Sequence, residues 1–253
     1  MKRICLLTMV MIPLLAWAGE EDDFGVWTEV GVEKLLPHDL TVGGDVEVRT
    51  QDNSTKMGRV SVGANVGYKV HKYLKVGAGY HFLEGYTPDN EGKKYYTPGY
   101  WTPRHRVSFD LSSGVKLWRL VKLSVRERYQ YTYRAEQDVT RYESYVDGEG
   151  NYGYYADEPE TKTRKRTDVH LLRSRLKIEF SRKHWHWTPF VSVEAQNNLQ
   201  NAMHLHKVRT AAGAEYQFTK QHTLSAAYVF TCETKENPDE RVHAVSIGYN
   251  FKF

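Results

Sequence analysis

Arginine recurs in this chain at a spacing of two: Arg126 and Arg128 in "SVRERYQY", and Arg173 and Arg175 in "LLRSRLKIEF", which continues to Glu179. Residues two apart in an extended chain point the same way, so each pair of arginines projects from one face of a strand. Arg106, Asp110, Glu194, Arg209 and Glu215 take the same parity in other alternating segments. Gathered inside a barrel, this set has two outcomes. Opposite signs pair across neighbouring strands and fill a narrow interior, or a row of arginines lines a water-filled path that favours anions.

Other residues capable of chemistry are scattered. Ser108, Ser112 and Ser192 share the charged parity, but His170 falls on the opposite face and His81 belongs to a distant segment. No nucleophile, base and orienting group come together, so the expectation is a protein without catalytic residues. The pairs His184/His186 in "HWH" and His204/His206 in "HLH" offer two imidazoles each, short of a metal site. The stretch "DGEGNYGYYADE" places Asp147, Glu149, Asn151 and Glu158 at positions 1, 3, 5 and 12 of a calcium loop. Tyr152 stands where that loop needs glycine, which favours a hairpin tip. No cofactor is expected.

The elements that must carry these residues are strands. "LTVGGDVEV", "RVSVGANVGYKV" and "YLKVGAGYHF" alternate large apolar with polar or small residues, and the pattern returns in His105–Leu117, Leu120–Arg134, Thr167–Phe180, Trp185–Asn197, Lys207–Phe218, His222–Thr234 and Val242–Phe253. Phe24–Lys34 is a further candidate. Connections near 71, 118, 181 and 219 are tight, whereas those at 87–104, 135–166, 198–206 and 235–241 are longer, the asymmetry of periplasmic turns and extracellular loops. Aromatic residues gather near strand ends, among them Tyr68, Tyr73, Trp118, Trp185, Trp187, Tyr129, Tyr131 and Tyr133. The last strand sets Tyr249, Phe251 and Phe253 on one face and ends on an aromatic carboxy-terminus, which resembles the carboxy-terminal signature of outer-membrane β-barrels that the assembly machinery reads.

The amino-terminus reads as a secretory signal peptide over residues 1–18, with Lys2 and Arg3 before an apolar stretch and "AWA" before Gly19. Residues 19–253 then form one barrel domain. Cys232 is the only cysteine beyond the signal, so no intrachain disulfide forms. Removing Lys2 and Arg3 takes the formal charge from +4 to +2 (4 − 2), too even a balance to point to nucleic acid. Mean hydropathy is low at −0.63, but a membrane strand shows lipid only every second side chain, so the average does not decide.

These features predict an all-β fold, an antiparallel transmembrane β-barrel of about 10–12 strands. The soluble alternative is a lipocalin-like, ligand-binding periplasmic barrel with an apolar interior. Single-chain bacterial barrels favour even strand numbers, so either Phe24–Lys34 stays outside the barrel, giving ten, or a strand hidden in 135–166 gives twelve. Glu127 shares the lipid-facing parity of Val125 and Tyr129, which calls for a β-bulge or a different register.

The segments "GVWTEVGVEK", "VEVRTQD", "HRVSFDL", "SVRERYQY", "LLRSRLKIEF", "PFVSVEAQNN" and "VRTAAGAEYQF" together resemble DUF2490, a bacterial family of outer-membrane barrels that is a domain of unknown function. The resemblance implies a Gram-negative outer-membrane location after signal cleavage, contact with lipid and lipopolysaccharide, and assembly by the barrel machinery. It implies no activity. The expected role is a small pore or a binding and scaffolding barrel, with an enzyme acting on lipid as the alternative; the sequence leaves the oligomeric state open.

Overall fold

In the computed structural model the described residues are 22–92, 94–117, 120–146, 152–182, 185–234 and 241–253. The signal segment, Trp118, His184 and the calcium-loop residues Asp147, Glu149 and Asn151 lie outside them. Alternation with a period of two becomes fifteen strands: β1 (Asp23–Leu36), β2 (Leu40–Gln51), β3 (Lys56–His71), β4 (Leu74–Thr87), β5 (Asn90–Glu91), β6 (Tyr95–Thr97), β7 (Tyr100–Lys116), β8 (Val121–Arg134), β9 (Gln137–Val146), β10 (Tyr152–Arg164), β11 (Thr167–Phe180), β12 (Trp187–Asn198), β13 (His204–Gln217), β14 (His222–Glu233) and β15 (Arg241–Lys252).

Eleven of them close a barrel in the order β1-β2-β3-β4-β7-β8-β11-β12-β13-β14-β15, and β15 returns to β1. This corrects both sequence-based counts. The segment Phe24–Lys34 is a barrel strand, and 135–166 does contain strands, but β9 and β10 join β5 and β6 in a separate four-stranded sheet, order β10-β9-β6-β5. An odd count closes because the seam is parallel. Eleven strands make ten reversals, which brings β15 back to the direction of β1; the pair runs in uniform register from Asp23↔Val242 to Glu33↔Lys252. Phe253 extends the seam, with its N–H donating to the Glu33 carbonyl at 2.9 Å and its carbonyl accepting from Leu35 at 3.3 Å. The Lys34 ammonium sits 5.1 Å from the centre of the Phe253 ring.

One face of every barrel strand looks outward and is predominantly apolar. Val30, Val32, Val62, Phe109, Leu111 and Val125 are all exposed there, Phe109 at 55%. Aromatic contacts form two bands on this face. At the short-turn end Trp187 meets Tyr216, Tyr216 meets Phe218, and Phe251 meets both His222 and Phe253. Toward the long connections His105 lies between Phe82 and Tyr133, and His170 packs on Tyr131. His170 is thus outward as its parity requires, its Nδ1 2.7 Å from the Tyr129 hydroxyl.

Glu127 also faces outward, and neither a bulge nor a changed register intervenes. The β8–β11 ladder runs without a break through Ser174↔Glu127, and the Ser174 hydroxyl donates to Glu127 Oε2 at 2.6 Å. A neighbouring hydroxyl, supplied by a serine of the same parity on the next strand, satisfies the carboxylate where it stands.

Close strand approach is built in at Gly213 of β13, where an added Cβ would lie 2.6 Å from the Ala227 Cα of β14. A side chain there has to move backbone, so Gly213→Val should sharply reduce the yield of folded barrel. The seam makes its own prediction. With Cys232→Ser as background, Thr28→Cys and Ile247→Cys, which are paired across it, should crosslink on oxidation and change mobility on a non-reducing gel; a barrel from which β1 is absent gives no such crosslink.

Candidate functional site

The second parity of each strand faces the lumen and carries the charges. The alternation that turns Val125 and Tyr129 outward turns Arg126 and Arg128 inward, beside Ser112 and Asp110 of β7 and Arg175 and Arg173 of β11. Charges on adjacent strands then meet side by side, and their pairing defines the site.

Glu194 of β12 is its most enclosed anion, with 6% of its side chain exposed. Arg173 approaches its Oε1 through Nε at 3.0 Å and Nη2 at 2.6 Å, Arg126 donates to Oε2 at 3.0 Å, and the Gln196 amide adds a bond of 3.0 Å. Gln130 accepts from the remaining side of Arg173 at 2.9 Å. A carboxylate removed from water in this way is held only because charged donors replace the lost hydration. Arg128 forks onto Asp110 with bonds of 2.5 and 2.9 Å.

Across the lumen Glu47 of β2 is clasped by Arg49 at 2.5 Å and by Arg59. The Arg49 guanidinium lies 3.8 Å from the ring centre of Trp27, and Arg209 approaches the same indole at 4.9 Å. Cation–π contact of this kind lets two arginines share a buried neighbourhood without a second carboxylate. His81 pairs with Asp45 at 3.3 Å. Near the short turns Lys177 joins Glu179 at 2.9 Å to Glu215 at 2.7 Å, and Lys122 reaches Glu179 at 2.7 Å.

The charge set expected from sequence is therefore brought to one interior, but not with the expected partners throughout. Arg126, Arg128 and Arg173 find Glu194 and Asp110. Glu179 and Glu215 are taken by lysines, and Arg209 bonds the Thr231 hydroxyl at 3.3 Å and stacks on Trp27. Arg175 and Arg106 form no ion pair among the described residues; the protein acceptor of Arg106 is Thr132 Oγ1, 3.4 Å away. Sequence reasoning missed the Glu47 cluster as a unit and Trp27 altogether. The available signal was parity: Trp27 alternates with Glu29 and Gly31 and faces Arg49 in the β1–β2 register.

These side chains surround a lumen cavity of about 560 Å³. Its wall carries Arg49, Arg59, Lys75, Arg106, Arg126, Arg128, Arg173 and Arg175 against Glu29, Asp45, Glu47 and Asp110, a formal balance of +4 (8 − 4). Counting Glu194, which bonds two of those arginines, leaves +3. A second cavity of about 400 Å³ at the short-turn end shares Thr41, Lys75 and Ser112 with the first.

Other candidates do not assemble. Glu158 lies in β10, and no group of three or more His, Cys, Asp or Glu placed to hold a metal occurs among the described residues. His186 donates from Nδ1 to the Gln217 carbonyl at 2.9 Å, a turn contact. The loop tyrosines build the four-stranded sheet, where Tyr96 stacks on Tyr154 at 4.3 Å.

A family model described as "Protein of unknown function (DUF2490)" matches residues 24–242. Among curated proteins nothing matches. Among solved structures one similar chain is "CymD monoaromatic hydrocarbon channel", with a TM-score of 0.36, 7% identity and 83% of each chain covered. A likeness that low says nothing about what the lumen holds.

Removing the central anion tests the network. Glu194→Ala leaves Arg126 and Arg173 facing each other without compensation, and breaking such a buried pair costs about 3–5 kcal/mol. Equilibrium urea unfolding of the refolded protein should show that loss, whereas Arg175→Gln, with no ion pair to break, should change stability by less than about 1 kcal/mol.

Proposed function

The chain belongs to the DUF2490 family, whose function is unknown, and from that premise we propose that it is a non-enzymatic barrel of the bacterial outer membrane, a small pore with a cationic lumen that favours anions. The observation that carries this reading is the direction of its two faces. The apolar side chains look outward, and eight cations against four carboxylates look inward on a cavity. A soluble lipocalin-like barrel has the opposite arrangement, with an apolar interior around its ligand. In water the outer face would expose a continuous apolar surface at large cost; in lipid that surface is the favourable one.

The aromatic bands at both ends support the same placement, since such rings favour the boundary between lipid and water. Glu127 is a cost to this placement, but an outward carboxylate is tolerated at less cost than an arginine there, and the Ser174 hydroxyl offsets part of it. Phe253, fixed on the seam strand, is in this reading both the recognition residue for the assembly machinery and the last closure of β15 on β1.

The non-enzymatic reading rests on the lumen's own contacts. His81 pairs with Asp45, and among the described residues no serine hydroxyl hydrogen-bonds to either. The hydroxyls of Ser108 and Ser112 line the cavity as neutral wall groups among the arginines.

Two measurements check this function. Expressed in a Gram-negative host, the protein should fractionate with outer membranes and migrate differently before and after boiling; recovery as soluble periplasmic protein overturns the placement. In planar bilayers under a salt gradient the refolded barrel should give anion-selective steps. The combined Arg106→Gln and Arg175→Gln variant should reduce that selectivity, and a correctly folded but electrically silent barrel overturns the pore.

A further inference from the structure

We propose that the lumen cavity is a binding site for one small anion carrying two or more charges, of the polycarboxylate or oxyanion class, and that the anion enters from the short-turn end. The inference deepens the pore reading and takes from it only that the lumen admits water and ions.

Its first support is that the wall is a fixed array of donors with positive charge in excess. Glu194, Asp110 and Glu47 hold Arg126, Arg173, Arg128 and Arg49 in place. Arg106 and Arg175, on β7 and β11, complete the wall without ion pairs of their own. The Nε atoms of Arg49, Arg59 and Arg126 are buried with no protein acceptor. Guanidinium groups already immobilised by neighbours lose little entropy on taking up a ligand, and their planar forks match carboxylate and phosphate oxygens. Excess charge of +3 after Glu194 is counted makes a multiply charged guest better matched than a monovalent one.

Size narrows the class. A cavity near 560 Å³ falls in the range of small-molecule sites, about 300–1,000 Å³, which suits a guest such as citrate and excludes a polymer held within it.

The route follows from what flanks the cavity. Toward the short turns, the wall continues through Thr41, Lys75 and Ser112 into the second cavity. That cavity carries Lys69, Lys72, Lys75, Lys122 and Lys252 against Glu33 and Asp39, +3 (5 − 2), and counting Glu179, which bonds Lys122, still leaves a positive balance of +2. A low-dielectric wall of one sign draws counter-ions inward. Toward the long connections, the lumen is occupied by Trp27 between Arg49 and Arg209, with Leu83, Gln130 and Thr231 all buried in that half of their strands.

The test is calorimetric titration of citrate into the refolded full chain in zwitterionic detergent at low ionic strength, with chloride and spermidine as controls. Saturable binding of one citrate is expected, about tenfold or more weaker in the folded Arg106→Gln/Arg175→Gln variant and unchanged in Arg166→Gln, which lies outside the lumen. No saturable binding, or equal affinity in the folded double variant, overturns the site. In a Cys232→Ser background, a maleimide label on Lys75→Cys should slow citrate association relative to the unlabelled variant, and one on Asn198→Cys at the opposite end should not; the reverse result overturns the entry route. Conductance separates the two readings: citrate binding in a silent barrel removes the pore and leaves the site, whereas conduction with no citrate binding removes the site and leaves the pore.

Discussion

The parallel pairing of β1 with β15 is the constraint from which the barrel's shape and its two faces follow. An antiparallel meander of eleven strands cannot close on itself in any other sense, because its last strand runs the way its first one does. The register of that single pair fixes which residues of β1 face inward. Trp27, Glu29 and Gly31 lie opposite Ser246, Gly248 and Asn250 across the seam, and a slip of one residue would turn all of them toward the outside. The bonds of Phe253 to Glu33 and Leu35 extend the ladder to the last residue of the chain. Closure also leaves no barrel edge free, so the exposed strand edges belong to the small four-stranded sheet.

Once the faces are fixed, the interior becomes an electrostatic problem that the chain solves in two ways. Some charges are paired across adjacent strands, as Arg128 is with Asp110 and Arg173 with Glu194. Others are held beside like charge by an aromatic face or a hydroxyl, as Arg209 is on Trp27 and Arg106 is at Thr132. The first group gives rigidity. The second leaves positive potential unspent in a cavity of low dielectric, where it acts on a mobile anion far more strongly than it would in bulk water. In the proposed reading the same residues that fill the barrel also make it selective, so that a structural network and an anion site become two properties of one wall.

Much of this was readable from residue types in order. A period of two marks the barrel strands and the inward arginines, but it made the outward Glu127 look like a fault of register, because the Ser174 hydroxyl that bonds it sits on another strand and no local pattern shows it. Strand number did not follow, because parity within a strand carries no information about which strand closes on which; the seam depends on a register between residues 23 and 242 that no local pattern encodes. Pair choice was only partly legible for a similar reason. Arg128 and Asp110 are cross-strand neighbours in a simple hairpin, whereas Arg126 reaches Glu194 past the intervening β11, a contact set by the curvature of the wall. Trp27 escaped notice because an indole surrounded by arginines has no distinctive spacing.

Both proposed properties of the barrel require a cationic lumen able to hold an anion. Anomalous diffraction from crystals of the folded barrel soaked in selenate would locate such an anion directly. A selenium peak is expected inside the barrel, within hydrogen-bonding distance of the Arg106 or the Arg175 guanidinium group. Crystals showing selenate only on the outer surface, with the arginine-lined cavity holding none, would contradict it.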